Sequence, residues 1–202
     1  MLDNTFGEVH TNEENDSTVI EVLKAPKIIY SIKEALLYIC ISLAIILGTK
    51  FFVVQHVRVE GTSMTPTLVD NQHLLIEKIS YRFKDIERFD IVVFRPYYNE
   101  KNVFYVKRVI GLPGETVQIK DNTILIDGKP LKEHYSEDYY TDGKMAISEM
   151  KLGDNDYFVL GDNRDVSKDS REKEIGLLNR KSIIGRAWFG IYPLDTFGLI
   201  KK

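Results

Sequence analysis

The sequence contains only one cysteine, Cys40, and its four histidines are widely separated. A single cysteine excludes an intramolecular disulfide. No two histidines have the i, i+4 spacing of a zinc-binding helix, and we expect neither a metal ion nor another cofactor. The sequence also lacks a Gly-rich phosphate-binding loop, because Gly111-Leu-Pro-Gly114 has a proline where such a loop needs free N–H groups.

Neither sign of charge is in large excess, since 27 lysine and arginine residues oppose 30 aspartate and glutamate residues in a chain of 202. Residues 55–202 carry as many basic as acidic side chains, so they lack the basic excess that nucleic-acid binding needs. The first 23 residues include acids but no lysine or arginine. We therefore expect no nucleic-acid partner and an acidic tail over 1–32, disordered to about residue 23.

The longest apolar run covers residues 35–54, and Lys50 is its single charged residue. Twenty helical residues measure about 30 Å, which is the hydrocarbon thickness of a bilayer. A buried core helix is the alternative, but an apolar helix of this length needs a larger protein to cover it. We predict a transmembrane helix over 33–55, too long and too far from the N-terminus to be a cleaved signal sequence.

The charges around this run predict its orientation. Three lysines precede it, at positions 24, 27 and 33, whereas Arg58 is the only basic residue that follows closely. Because basic residues favour the cytoplasmic side, we expect a cytoplasmic N-terminus and place residues 56–202 on the extracytoplasmic face. The sequence thus predicts a single-pass protein of the cell membrane.

Strand patterns dominate after residue 55. Asp127-Gly128 is a hairpin signal, and residues 133–156 are polar and patternless, which is typical of a loop or a small inserted subdomain. We predict a mainly β fold, an antiparallel sheet or barrel-like body over 56–202 with a small insertion around 133–156. The predicted strands lie at 56–60, 72–80, 89–94, 103–110, 116–119, 123–126, 157–160 and 182–192.

Two adjacent cations, Lys107 and Arg108, interrupt the apolar strand predicted at 103–110. Side chains alternate along a strand, so at least one of the two cations faces the core. Arginine stays charged and needs an acid, whereas burial lowers the pKa of a lysine and lets it lose its proton. Two structural salt bridges are the alternative interpretation of this pair.

A candidate nucleophile follows the first predicted strand. Ser63 lies in the segment 61–66 (GTSMTP), where Gly61 permits a tight turn and Pro66 stiffens the exit. Serine is a weak nucleophile that needs an adjacent base, and a neutral lysine amine can serve as that base. Taken alone, the segment is typical of an ordinary Ser/Thr turn.

Together, four segments resemble the bacterial type I signal peptidases, or leader peptidases, which are membrane-bound Ser/Lys proteases. The segments are the apolar run, 63–68 (SMTPTL), 107–115 (KRVIGLPGE) and 161–171 (GDNRDVSKDSR), in that order. The resemblance extends from about residue 33 to the C-terminus except for 133–156, and the size is similar to that of the Gram-positive members. It implies a membrane-anchored serine endopeptidase that removes signal peptides from secretory preproteins, cleaving after small residues at −1 and −3.

The resemblance also implies roles for individual residues. Ser63 would be the nucleophile and Lys107 the general base, and Ser167 would orient the lysine. The supporting ion pairs that the resemblance implies are Arg108 with Asp162, and Arg171 with Asp169. This partition agrees with the strand argument, because a carboxylate beside Lys107 would raise its pKa.

The resemblance places substrate recognition around the nucleophile. Gly61 stands where some relatives have a serine hydroxyl, so the oxyanion would be bound at the turn Gly61, Thr62 and Ser63 through backbone N–H groups. An extended substrate could add as a strand along residues 103–107. The residues implied to line shallow apolar pockets are Val57, Val59, Met64, Leu68, Tyr105 and Val106.

Two other interpretations of the sequence stay open. A self-cleaving repressor-type Ser/Lys peptidase is soluble and has a DNA-binding head, and the apolar run argues against it. A membrane-tethered β module without activity is the other, and an assay is needed to separate it from an enzyme. For the enzyme we expect secretory preproteins and the lipid bilayer as partners, with the chain acting as a monomer.

Overall fold

The structure is a computed structural model of the chain, and it describes residues 32–52, 54–96, 104–135 and 142–201. The chain divides into two compact units, Met1–Leu43 and Ala44–Lys202. The predicted acidic tail lies outside the described residues except for Ile32, so its disorder stays a prediction.

Helix α1 covers Ile32–Phe52, so it begins one residue before the predicted span of 33–55 and ends three residues earlier. Glu34 lies in its first turn, where a negative charge interacts favourably with the helix dipole. In the described part of the chain, no helix combines the length and the apolar character that crossing a membrane requires. The helix predicted over 33–55 is therefore present, but its transmembrane character is not supported.

The rest of the described chain is mainly β, and its strands form two antiparallel sheets. A short helix α2, Ser80–Phe83, and three 3-10 turns connect strands. The strands in chain order are β1 Val54–Arg58, β2 His73–Glu77, β3 Ile91–Phe94, β4 Tyr105–Gly111, β5 Thr116–Lys120, β6 Thr123–Ile126, β7 Lys129–Pro130, β8 Met150–Lys151, β9 Asp156–Leu160, β10 Leu178–Asn179, β11 Ile183–Tyr192 and β12 Gly198–Leu199.

Eight strands form the larger sheet, in the order β1-β2-β11-β3-β4-β9-β10 with β12 paired to β11. The other four form a smaller sheet in the order β7-β6-β5-β8. Every pairing in both sheets is antiparallel. The mainly β, antiparallel fold class predicted from the sequence is thus confirmed.

Both tight hairpins of the smaller sheet have left-handed turn residues. Asp121 and Asn122, between β5 and β6, have φ of 49° and 62°, and Asp127 and Gly128, between β6 and β7, have φ of 49° and 75°. Two successive positive φ values are the requirement of a turn whose twist matches the flanking strands. The hairpin signal at 127–128 is confirmed.

Strand β3 is buried on both of its faces, which explains its unbroken apolar sequence IVVF. Val92 and Phe94 pack into one cluster of the core, and Ile91 and Val93 pack into a second. Residues 105–108 of strand β4 pair with the whole of β3, with Lys107 opposite Val92. The cations of β4 are therefore held in the interior of the larger sheet.

Residues 133–156, predicted as a loop or a small inserted subdomain, contain a 3-10 turn, Lys144–Ile147, and strand β8, whose Met150 pairs with Val117 of β5. The sequence shows no pattern for β8, because a strand of two residues is too short to show alternation. Residues 136–141 lie outside the described residues.

Candidate active site

Strand β4 carries two buried cations side by side. Lys107 is 4% exposed and Arg108 is fully buried. Because consecutive side chains of a strand point to opposite faces, the two cations reach different partners. Burial of at least one cation was expected from the sequence, and the structure buries both.

The loop between β1 and β2 carries Ser63 and is anchored in the core. Thr65 N donates to Thr62 O at 3.1 Å and Leu68 N donates to Met64 O at 2.9 Å, so the chain forms two compact turns around the serine. Met64 and Leu68 are buried beneath these turns. The carbonyl oxygen of Ser63 also accepts a hydrogen bond from Asn163 N at 3.1 Å.

Lys107 and Ser63 are in direct contact. Lys107 Nζ lies 2.7 Å from Ser63 Oγ and donates to the carbonyl oxygen of Val106 at 3.1 Å. Burial removes water from the ammonium group and lowers the pKa of Lys107 to about 8, against an opposing effect of Asp169 and Asp162. A lysine with this pKa holds a usable fraction of neutral amine near neutral pH.

Arg108 and Asp162 form a two-point ion pair in the interior. Arg108 Nε donates to Asp162 Oδ1 at 2.8 Å and Nη2 donates to Oδ2 at 2.7 Å. The guanidinium also donates to Phe89 O at 3.1 Å and to Thr67 Oγ1 at 3.2 Å, and it stacks on the ring of Tyr135 at 3.7 Å. Asp162 therefore neutralises the arginine, and its carboxylate is not in contact with Lys107.

A second buried ion pair stabilises the loop that follows β9. Arg171 Nε donates to Asp169 Oδ1 at 2.8 Å, and Nη2 donates to Oδ2 at 3.0 Å and to Arg164 O at 2.7 Å. Asp169 Oδ2 also accepts from Gly161 N at 3.1 Å. These bonds fix the course of residues 161–171 beside the nucleophile loop.

Ser167 lies close to the nucleophile but is not bonded to the lysine. It is 3% exposed, and within the described residues its Oγ has no hydrogen-bond partner. Gly161 leaves no room for a Cβ, which would collide with Ser167 Oγ and with Ser63 O, so these segments pack tightly. The orienting role that the resemblance gives Ser167 stays a prediction.

A cleft of about 360 Å³ opens at Ser63 and Lys107. Leu68 does not line it, because this side chain is fully buried in the core beneath the loop, and the structure corrects its assignment as a pocket residue. Phe104, Val166 and Lys168 line the cleft and were not singled out from the sequence. The other implied pocket residues all line it: Val57, Val59, Met64, Tyr105 and Val106.

The turn implied to bind the oxyanion borders the same cleft. Gly61, Thr62 and Ser63 all line it. The N–H of Gly61, however, donates to Asp70 Oδ1 at 2.8 Å. Gly61 is therefore corrected as a donor to the oxyanion, and the amides of Ser63 and Thr62 are the remaining candidates.

Arg164 is a buried residue near the site that sequence reasoning missed. It is 2% exposed, pairs with Glu133 and donates from Nε to Gly161 O at 2.9 Å. Arg164 lies inside the 161–171 segment that carries the resemblance, which is the signal that could have identified it. Its partner lies in the insertion, where the sequence shows no pattern.

Comparison with known proteins identifies the family. A family model described as signal peptidase, peptidase S26, matches residues 32–192. The chain is 38% identical over 164 residues to signal peptidase I of Bacillus licheniformis, covering 78% of this chain and 87% of the relative. It is also 38% identical over 182 residues to signal peptidase I of Leptolyngbya laminosa, covering 86% of each.

A crystal structure of signal peptidase I from Enterococcus faecalis V583 is 36% identical, with a TM-score of 0.43, and the match covers 51% of this chain and 97% of that one. The family match and the curated relatives place the chain in the class of serine endopeptidases. Within that class, the chain belongs to the signal peptidase family, peptidase S26. The resemblance drawn from the sequence is thereby confirmed.

Proposed function

We propose that this chain removes signal peptides from secretory preproteins through a dyad of Ser63 and Lys107. The observation that carries the proposal is the 2.7 Å contact between Lys107 Nζ and Ser63 Oγ in a cleft. The low pKa of the buried amine makes it a base near neutral pH. The signal peptidase I relatives support the choice of preproteins as substrates.

The dyad performs acyl transfer in two steps. Neutral Lys107 takes the proton of Ser63 as Oγ attacks the scissile carbonyl carbon, and the resulting ammonium protonates the leaving amine. The acyl-enzyme ester is then attacked by a water whose proton passes to Lys107. The attack of water forms a tetrahedral intermediate on the ester carbon. When this intermediate collapses, the signal peptide is released and the proton on Lys107 returns to Ser63 Oγ.

The distribution of acids in the interior supports this use of Lys107. Asp162 is occupied by Arg108, and Asp169 is occupied by Arg171. A carboxylate in contact with the amine would stabilise its charged form and raise the pKa. We propose that the hydroxyl of Ser167 orients the amine without this effect.

The cleft suits an extended peptide with small side chains at −1 and −3. Its apolar lining includes Val57, Val59 and Val106, and β4 offers its backbone beside the dyad. Addition of the substrate as a strand at 104–107 would supply main-chain hydrogen bonds. Val103, the first residue of the predicted binding strand, lies outside the described residues.

Membrane anchoring belongs to the proposal and comes from the sequence. The apolar run and its flanking lysines predict one span, with the N-terminus in the cytoplasm and the catalytic body outside. In this arrangement the bilayer is a partner, and we propose that the chain acts as a monomer.

The test is cleavage of a preprotein by the detergent-solubilised protein, with the cut position read by mass spectrometry. Ser63→Ala and Lys107→Ala should each lose about 10⁴-fold or more in kcat, because each removes half of a unit that acts together. Ser148→Ala and Lys120→Ala are matched controls on exposed residues and should keep full activity.

Three outcomes would contradict the proposal in different ways. No cleavage by the intact protein rejects the function and favours an inactive β module. Undiminished cleavage by Ser63→Ala or Lys107→Ala rejects the dyad but not the peptidase activity. Cleavage after large residues rejects the proposed specificity at −1 and −3.

A further inference from the structure

The turn before the nucleophile has an unusual backbone conformation at Gly61. Its φ is +89°, in the left-handed region that glycine tolerates and other residues rarely adopt. Apart from neighbouring residues, no atom lies within 4 Å of the position that a Cβ would occupy, so space does not require glycine there. Because glycine can also adopt many other conformations, its surroundings must hold it in this one.

Asp70 provides the contact that holds this turn. Its Oδ1 accepts a hydrogen bond from Gly61 N at 2.8 Å, and its Oδ2 accepts one from Asn71 Nδ2 at 2.9 Å. Asn71 Oδ1 in turn accepts a hydrogen bond from Arg58 Nε at 3.0 Å. The Asp70 carboxylate is thus oriented by its neighbour and directed at the Gly61 amide.

Backbone bonds continue the pairing of β1 and β2 up to this point. Val59 N donates to Gln72 O at 2.8 Å, and Asn71 N donates to Val59 O at 2.9 Å. At Gly61 the acceptor is a side chain, Asp70, instead of the backbone of the opposite segment. The Asp70 carboxylate therefore continues the hydrogen bonding between the two segments as far as Gly61, two positions before Ser63.

We propose that Asp70 is a positioning residue for the oxyanion-binding turn 61–63. The inference rests on the proposed function of Ser63 as the nucleophile. By holding the Gly61 amide, Asp70 fixes the peptide planes of the turn and aims the Ser63 N–H at the oxygen that becomes negative in the tetrahedral intermediate. Donors of this kind act on the transition state, so their misalignment lowers kcat and leaves KM nearly unchanged.

The test compares variants of the full chain in detergent with a fluorogenic signal-peptide substrate. Asp70→Ala should lower kcat about 10-fold to 100-fold, below the largest losses seen when an oxyanion donor itself is removed, with KM within about twofold. Asp70→Asn keeps an oxygen that accepts from Gly61 N, and it should retain kcat within about threefold. Thermal unfolding is recorded for every variant.

Asp127→Ala is the matched control for a loss of stability alone. Asp127 Oδ1 accepts from Thr116 N at 2.9 Å in a turn of the smaller sheet, just as Asp70 Oδ1 accepts from Gly61 N. This variant should lose stability as Asp70→Ala does but keep the wild-type kcat.

If the unaltered protein cleaves the substrate, two results would reject the positioning role of Asp70 without rejecting the proposed function. One is a wild-type kcat in Asp70→Ala, and the other is an equal loss of kcat in Asp127→Ala. An intact protein that does not cleave the substrate rejects the proposed function itself, and the role of Asp70 falls with it.

Discussion

At the scale of single residues, the protonation of Lys107 governs the proposed chemistry. A pKa of about 8 leaves about a tenth of the amine neutral at pH 7 and about nine tenths neutral at pH 9. Only the neutral amine can accept the Ser63 proton. The burial that lowers this pKa therefore sets the working pH of the site.

We predict that kcat/KM rises about tenfold between pH 7 and pH 9, with a midpoint near 8. The rate constant rises with pH because Lys107 loses its proton as the pH increases. Since its pKa is lowered, this loss occurs at a lower pH than in free lysine. The measurement is a pH profile with a fluorogenic peptide, with folding checked by circular dichroism at each pH. A flat profile would exclude Lys107 as the base, and a midpoint near 10 would show that its pKa is not lowered.

Residue-level prediction from the sequence succeeded where one local rule decided the outcome. Alternation in β4 required a buried cation, and the structure buries Lys107 and Arg108. Leu68 was misplaced because it belongs to a turn, where no alternation indicates which side chains face the core. The bond from Gly61 N to Asp70 was not predicted, since it depends on how two ends of a loop meet in space.

At the scale of elements, β4 and the loop after β9 are joined by the Arg108–Asp162 pair. Both side chains are almost completely buried. Removing one partner from such a pair leaves an uncompensated charge in the interior, which costs far more than the pair itself contributes. Loss of either partner should therefore destabilise the fold strongly.

We predict that Asp162→Ala lowers the free energy of unfolding by about 3–5 kcal/mol, because it strands the Arg108 guanidinium. Glu172→Ala is the matched control, since its partner Lys144 and Glu172 itself are about a third exposed. It should cost less than about 1 kcal/mol. Urea unfolding of both variants measures this difference. Equal losses in the free energy of unfolding would show that the buried ion pair matters no more to stability than the exposed one.

The packing of Gly161 gives a second prediction at this scale. Gly161→Ala places a methyl group against Ser167 Oγ and the carbonyl oxygen of Ser63, so it must displace the nucleophile loop. We expect a loss of about 1–3 kcal/mol in stability and at least about tenfold in kcat. The kinetics are measured well below the unfolding temperature.

Gly185→Ala is the control for overpacking away from the cleft. The added methyl group would collide with Glu77 O and would lie 2.7 Å from Ile76 Cγ2. It should destabilise the protein by a similar amount without a specific loss of kcat. A Gly161→Ala variant with full activity would show that the loop after β9 accommodates the methyl group while Ser63 keeps its position.

Element boundaries were predictable to within a few residues, and the deviations have local causes. The strand expected at 72–80 ends at Glu77, because the Glu77 carboxylate accepts the Ser80 N–H at the start of α2. The 123–126 strand was predicted with its observed bounds, since two tight turns delimit it. Strand β8 was missed, because pairing with β5 rather than its own pattern makes it a strand.

At the scale of the whole molecule, the segment that follows the smaller sheet contacts arginines that lie close to the dyad. Tyr135, which follows the smaller sheet's strand β7, stacks on Arg108 of the larger sheet. Glu133 from the same stretch pairs with Arg164. The sequence could not predict these contacts, because they join segments about 30 residues apart in a region without periodicity.

Membrane anchoring is the prediction that concerns the whole chain. When it is expressed in bacterial cells, the full chain should stay in the membrane pellet after alkaline carbonate extraction. The double variant Ile39→Lys and Leu43→Lys should be released in larger part, because a lysine costs about 2.5–3.5 kcal/mol at the centre of a span, where Leu43 lies, and Ile39 is one helical turn away. Complete release of the unaltered chain would reject the anchor.

The adjacency of Lys107 and Arg108 restricts how this chain can change in length. A one-residue insertion or deletion at 105–106 would invert which face each later side chain of β4 occupies. A deletion would bring Arg108, which does not lose its proton, to the position of the amine beside Ser63, whereas an insertion would bring Lys107 to the position that faces Asp162, where it would be held charged. Viable descendants of this sequence should therefore vary in length at the hairpin tips 121–122 and 127–128, and keep β4 free of insertions and deletions.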